Sequence, residues 1–237
     1  FQPLPAGFTA TPINDVEALE RLFATQGDRI CAVMIECIQG ESGVHPCTEE
    51  FIGAIRRLTE EHGALMICDE VQSGIFRTGL PYGFQNFGVL PDIVTMAKGI
   101  ASGIVAGAAR PKAPSRSLCA GRPWHYLRWL EHCHGRGPCD AVDAARSGHG
   151  SADRVGRRLH ARAAGASAPR AGGARFRLMN GIDLTHEAPA APDVVAAGLE
   201  AGLVLNATGP HTLRFLPPLI CTEADVDVLV QKLEQLL

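Results

Sequence analysis

Two residues stand out for the chemistry that their types and places permit, Asp69 and Lys98. Each follows a short apolar run bounded by turn formers, Ala64–Cys68 before the acid and Ile93–Ala97 before the base. Runs of that length between breakers read as buried strands of a parallel sheet. In such sheets ligands lie beyond the carboxyl ends of the strands, so an acid and an amine placed there face one crevice. The carboxylate can hold a pyridine nitrogen protonated, which makes the ring an electron sink, while the amine condenses with an aldehyde. That is the chemistry of pyridoxal 5′-phosphate. On spacing alone a plainer reading stays open, with Asp69 as a helix N-cap and Lys98 as a solvated side chain.

The elements that must position this pair follow from the hydrophobic pattern. Asn14 or Asp15 caps a helix with Val16, Leu19, Leu22 and Phe23 on its apolar face, ending near Gly27. Cys31–Ile38 reads as one buried strand interrupted only by Glu36. Thr48 caps a second helix with Glu49 and Glu50 in its first turn, where the macrodipole favours acids. Its buried face is Phe51, Ile52, Ile55 and Leu58, and Gly63 ends it. Strand, helix, strand, loop, strand is a parallel α/β layer. Further on, Leu178–Leu184 reads as a strand, and Pro192 opens a helix reaching about Gly202. Leu203–Leu205 and Thr212–Leu216 read as strands, and Thr222 with Asp225 forms a capping box before a last amphipathic helix.

The 237 residues are enough for one large domain or two small ones, and no apolar run is long enough to span a membrane. The chain starts with Phe, and nothing there resembles a signal peptide, so it reads as a cytoplasmic fragment. Eight Cys without paired spacing fit reduced thiols better than a disulfide framework. The net charge of −3 hides an asymmetry. Residues 110–177 hold 14 basic against 4 acidic side chains, a balance of +10, whereas the remainder sums to −13. That segment is rich in Arg, Ala, Gly, His and Pro and has almost no helix or strand periodicity. It reads as disordered, because such a composition cannot bury enough apolar area to offset ordering entropy. His125, His132, Cys133, His134 and Cys139 raise a zinc reading, but their spacing fits no usual finger. Trp124, Tyr126 and Trp129 amid the basic charge raise a nucleic-acid reading. A non-catalytic remnant with a basic nucleic-acid- or metal-binding insert is therefore the rival to an enzyme.

Several motifs carry a resemblance. Asp-Glu-Val-Gln at 69–72, Arg77-Thr78-Gly79 and Pro91-Asp92-Ile93 leading to Ala97-Lys98-Gly99 resemble the class III, fold type I aminotransferases. Glu36-Cys37-Ile38-Gln39-Gly40-Glu41-Ser42-Gly43 is similar to that family's "EPIQGEGG" segment, with Cys37 where Pro is usual. The opening "FQPLPAGF" is most like its acetylornithine aminotransferase branch. The resemblance implies an α/β fold type I architecture. Residues 1–109 would be the second half of a cofactor-binding large domain with a partial parallel sheet, and residues 178–237 a small C-terminal α+β domain. It implies pyridoxal 5′-phosphate as cofactor, with Lys98 as the catalytic amine and Asp69 on the ring nitrogen. Val71 would pack on a ring face and Gln72 would hydrogen-bond the phenolic oxygen. Glu41 and Arg214 would form a pair that lets one site accept two substrates, an amino donor and 2-oxoglutarate. The implied reaction is that of N-acetylornithine:2-oxoglutarate transaminases in arginine biosynthesis. Ornithine, succinylornithine and 4-aminobutyrate enzymes share the motifs. The resemblance further implies a homodimeric parent, with no nucleic acid and no membrane among its partners.

The same resemblance offers an account of residues 110–177. If the codons for Gly121–Gly135 are read one base later, they can spell a stretch containing the family's "HGTTFGGN"-like segment. The same offset over Gly172–Arg177 can spell "AVRGSG", which joins smoothly to Leu178. The segment therefore reads as an out-of-frame translation, which sequencing the gene tests directly. The family's phosphate cup and ring-stacking residue have no counterpart in this sequence, so the chain as written is expected to be inactive.

Overall fold

The computed structural model describes residues 6–101, 107–112 and 170–237. Helix α1, Val16–Gln26, starts where the Asp15 carboxylate accepts the Ala18 N–H at 2.8 Å. Helix α2, Glu49–Glu61, starts where the Thr48 hydroxyl accepts the Phe51 N–H at 3.1 Å. Both caps satisfy an otherwise orphaned first-turn donor. Strands β1 (Ala32–Ile35), β4 (Leu65–Asp69), β5 (Ile93–Met96) and β6 (Ala108–Pro111) form one sheet in that order. The first three are parallel and β6 is antiparallel at the edge. Leu19, Phe23, Phe51, Ile52, Ile55 and Met66 fill the core between the helices and this sheet.

The expected strand Cys31–Ile38 is broken. After Ile35 the chain leaves the sheet, and Ile38–Gln39 (β2) pairs instead with His45–Pro46 (β3). The backbone carbonyl of Cys37 accepts the Cys47 N–H at 2.9 Å, which fixes the turn away from β1. Continuous apolarity foretold neither straightness nor full burial here: Cys31 and Met34 are exposed, and β1 is an edge strand among the described residues. Cys37, Cys47 and Cys68 are buried free thiols, with the Cys37 and Cys68 sulfurs 3.7 Å apart. Burial, reinforced by the neighbouring Cys68 and Glu36, pushes the Cys47 thiol up to about 12, so it stays protonated and unreactive.

The second sheet is antiparallel, in the order β7 (Arg170–Phe176), β8 (Met179–Leu184), β10 (Thr212–Phe215), β9 (Asn206–Ala207). Helices α3 (Ala191–Glu200) and α4 (Glu223–Leu233) close it around Ile182, Leu184, Val194, Leu213, Val226 and Val230. Leu203–Leu205 is not a strand; the pairing falls one residue later, at Asn206–Ala207. At α4 the capping box is as expected: Thr222 N–H donates to Asp225 at 2.8 Å and Asp225 N–H donates to the Thr222 hydroxyl at 3.3 Å. Two ends of the anomalous stretch are in strands, Arg110–Pro111 in β6 and Arg170–Phe176 in β7. The expectations of disorder and of frame shift for its interior, and the zinc and nucleic-acid candidates, lie outside the described residues.

One ion pair ties α2 to the parallel sheet. A single oxygen of Asp92 accepts from Arg56 at 2.9 Å and from the Met66 N–H at 2.9 Å. Burial alone would raise its pKa, but the Met66 N–H and the Arg56 guanidinium together outweigh that and hold it below the usual carboxylate range. A depressed folded-state pKa gives stability that is present above the unfolded value and lost as pH falls through the folded one. Asp92→Asn is therefore expected to melt below the parent at pH 7. The difference between the two melting temperatures should shrink as the pH drops below about 4; an offset that does not change with pH would contradict it.

Candidate functional site

Asp69 closes β4 and is the register partner of Thr95 on the adjacent parallel strand β5. Lys98 follows β5 by two residues, so the acid and the amine leave neighbouring strands at the same carboxyl edge. The backbone between them is tied by the Glu70 N–H donating to the Thr95 carbonyl at 2.9 Å. The half-buried Asp69 carboxylate is oriented by the Val71 N–H, which donates to it at 2.9 Å. Lys98 opens a single 3-10 turn, Lys98–Ala101, with φ of +48°. A non-glycine residue in the left-handed region is costly and persists where its surroundings hold it, as at many active sites.

Glu41, in the turn between β2 and β3, stands between two cations. Its Oε1 is 4.0 Å from Lys98 Nζ and 3.8 Å from Arg214 Nη1. Gln72 bridges the acid and the guanidinium: its Nε2 donates to Glu41 at 2.6 Å, and its Oε1 accepts from Arg214 Nη1 at 3.1 Å. The Gln72 amide, expected against a cofactor's phenolic oxygen, is engaged instead by Glu41 and Arg214. Arg214 reaches this point from β10 of the small sheet, with only 13% of its side chain exposed, and also donates to the Gly40 carbonyl. A Cβ at Gly40 would fall on Gln72 Oε1 and press on the end of Met179, so a larger residue there would displace the Gln72 amide from Arg214. Lys98 and Arg214 thus flank one exposed carboxylate.

Sequence reasoning left two polar groups of this edge without a role. The half-buried Glu36 carboxyl is raised first by burial and then by Asp69 and Glu41, with Lys98 opposing. It therefore senses every charge at the strand ends. Thr95 Oγ1 is buried without a hydrogen-bond partner among the described residues, beside Asp69. Asp69, oriented by a backbone donor, and Lys98 at the same carboxyl edge have the donor chemistry that the ring nitrogen and the aldehyde of pyridoxal 5′-phosphate require, and so fit that group. The site is also joined across the two sheets by the half-buried Arg77, which donates to the Pro217 carbonyl, while its own carbonyl accepts the Leu178 N–H at 3.2 Å. Burial pushes the Arg77 guanidinium pKa down. Among the described residues no group of three or more His, Cys, Asp or Glu side chains is placed to hold a metal, and no helix is long and apolar enough to cross a membrane.

Residues 1–125 match the family described as Aminotransferase class-III. Acetylornithine aminotransferase from Caldanaerobacter subterraneus subsp. tengcongensis is 36% identical over 249 residues, covering 100% of this chain and 60% of that protein. The Mycobacterium leprae acetylornithine aminotransferase is 36% identical over 246 residues, covering 100% of this chain and 58% of its own length. Among solved structures, acetylornithine aminotransferase from Elizabethkingia anophelis has a TM-score of 0.84 at 26% identity, covering 97% of this chain and 59% of the other. N-acetylornithine aminotransferase from Stenotrophomonas maltophilia K279a has a TM-score of 0.77 at 27% identity, covering 98% and 62%. The chain spans about three-fifths of the length of the curated relatives it matches.

Proposed function

Because the chain belongs to the class-III aminotransferases, we propose that it is the stretch carrying Lys98 and the carboxylate switch of a pyridoxal 5′-phosphate-dependent N-acetylornithine:2-oxoglutarate transaminase. The observation that carries this reading is the convergence of Asp69 and Lys98 at one sheet edge with Glu41, Gln72 and Arg214. Bound pyridoxal 5′-phosphate would supply the electron sink that lets a C–H bond beside nitrogen break. Asp69 would hold the ring nitrogen, its orientation preset by the Val71 N–H. Lys98 would capture the cofactor's aldehyde and, once released by the amino donor, carry the proton between substrate carbon and cofactor carbon. With an amino donor, Glu41 and Gln72 keep Arg214 neutralised. With 2-oxoglutarate, Glu41 withdraws, and the guanidinium takes a substrate carboxylate through two parallel hydrogen bonds. A second copy of the chain is the proposed partner.

The test is transamination by the cofactor-loaded intact protein, with N-acetylornithine, ornithine, succinylornithine and 4-aminobutyrate as donors and 2-oxoglutarate as acceptor. N-acetylornithine should give the highest kcat/KM, and preference for another amine would overturn the substrate assignment. Arg214→Lys keeps the charge but loses the fork. It should raise KM for 2-oxoglutarate about tenfold to a hundredfold while kcat moves little.

A further inference from the structure

The three nitrogens of Arg214 are not equally engaged. Nη1 donates to Gln72 Oε1 and the Gly40 carbonyl and faces Glu41, whereas Nε donates to Asn206 Oδ1 at 3.0 Å. Asn206 belongs to β9, a strand of only two residues, and is the register partner of Arg214 on β10. Their side chains are therefore cross-strand neighbours, and the ladder itself delivers the amide oxygen to the guanidinium. A guanidinium can grip a carboxylate in two planar ways, along the side through Nε and one Nη, or end-on through both Nη atoms. With Nε taken by Asn206, the side edge is closed.

We propose that Asn206 is a positioning residue that closes the Nε edge of Arg214, so that a substrate carboxylate can bind only end-on and must displace Glu41 and Gln72 from Nη1. This rests on the role given above to Arg214 and sharpens it. If the side edge were open, a dicarboxylate could add to Arg214 while Glu41 stayed in place, and donor and acceptor states would cease to exclude one another. Asn206 thereby turns a graded competition into an obligatory exchange at one nitrogen. Its neutral amide suits that task, since a carboxylate there would compete with the substrate for the same cation.

The experiment uses glutarate, a dicarboxylate without a reactive keto group, as the probe. Its binding to the 15N-labelled chain is followed at the Arg214 Nε–H resonance, which is identified by its loss in Arg214→Lys, and by calorimetry. Four proteins make a cycle: the parent, Glu41→Gln, Asn206→Ala and the double variant. In the parent background Glu41→Gln removes the charged competitor and should tighten glutarate binding by about fivefold to tenfold. In the Asn206→Ala background the same change should alter affinity by less than about twofold, because the side edge already admits the ligand. Without ligand, Asn206→Ala should speed exchange of the Arg214 Nε–H with water by about tenfold. Equal gains in both backgrounds, or an unchanged exchange rate, would overturn the role of Asn206. A merely structural asparagine would lower the melting temperature without producing the coupling. Failure of the underlying reading looks different: glutarate affinity is then indifferent to Arg214→Lys, or no binding is measurable in the parent.

Discussion

Lys98→Ala is expected to abolish covalent capture of pyridoxal 5′-phosphate by this chain and, in the intact protein, to cut transamination by about a thousandfold or more. The chain makes the first half of this prediction sharp, because it has only three lysines, Lys98, Lys112 and Lys232. Lys232 is committed to the Ala201 carbonyl at 2.7 Å, where it caps the end of α3 on the small sheet. Lys112 follows the antiparallel edge strand β6 and is not at the carboxyl edge that Asp69 and Lys98 share. Borohydride reduction after incubation with the cofactor, followed by peptide mass spectrometry, should therefore place the label on Lys98. Even weak cofactor binding is sufficient, since reduction makes capture irreversible. Lys98 is exposed, so the alanine variant should melt within about 1 kcal/mol of the parent. Asp69→Asn should still be labelled at Lys98 while losing activity, because it removes the ring-nitrogen partner and not the amine. Label spread evenly over the three lysines would refute the assignment of Lys98.

Much of this edge was legible because burial leaves a mark on local composition. The apolar runs before Asp69 and Lys98 announced two strands, although Leu65 is exposed and most of β5 is only half-buried, and turn formers around them announced where they end. Thr48 and Thr222 announced helix starts through the same logic of unsatisfied donors. The Glu41–Arg214 pairing has no local mark at all. Its members are 173 residues apart in sequence, and only resemblance to a family linked them before the structure set them 3.8 Å apart. Asn206 was illegible for a different reason: a two-residue strand has no period to detect, and the apolar Leu203–Leu205 beside it drew the assignment one step too early. Likewise the apolar stretch through Cys37 hid a change of sheet, because a run of apolar residues carries no information about direction.

The second large effect is expected at Glu70, a carboxyl next to Asp69 with no part in the chemistry. It is 1% exposed and accepts three hydrogen bonds, from the Ser73 hydroxyl at 2.5 Å and from the Gly83 and Phe84 N–H groups at 2.7 and 2.8 Å. Those two amides open the 3-10 turn Gly83–Phe87, so one side chain closes both ends of the loop that carries Gln72. Glu70→Ala leaves a cavity and three orphaned donors and should cost about 3–5 kcal/mol. Glu70→Gln keeps the volume but turns an amide NH2 toward an N–H donor or the Ser73 hydroxyl, and should cost about 1–3 kcal/mol. The pH dependence separates charge from shape. Burial pushes the Glu70 pKa up, against the three donors that pull it down. A raised folded-state pKa favours folding below the unfolded value, and that contribution is lost as pH rises through the folded pKa. Relative to Glu70→Gln, which does not titrate, the parent should therefore lose part of its advantage between acid and neutral pH, opposite in sign to the Asp92 comparison. Denaturant titrations at pH 4 and pH 7 read both. A parent whose advantage over Glu70→Gln grows toward neutral pH would mean that the donors outweigh burial at this carboxyl.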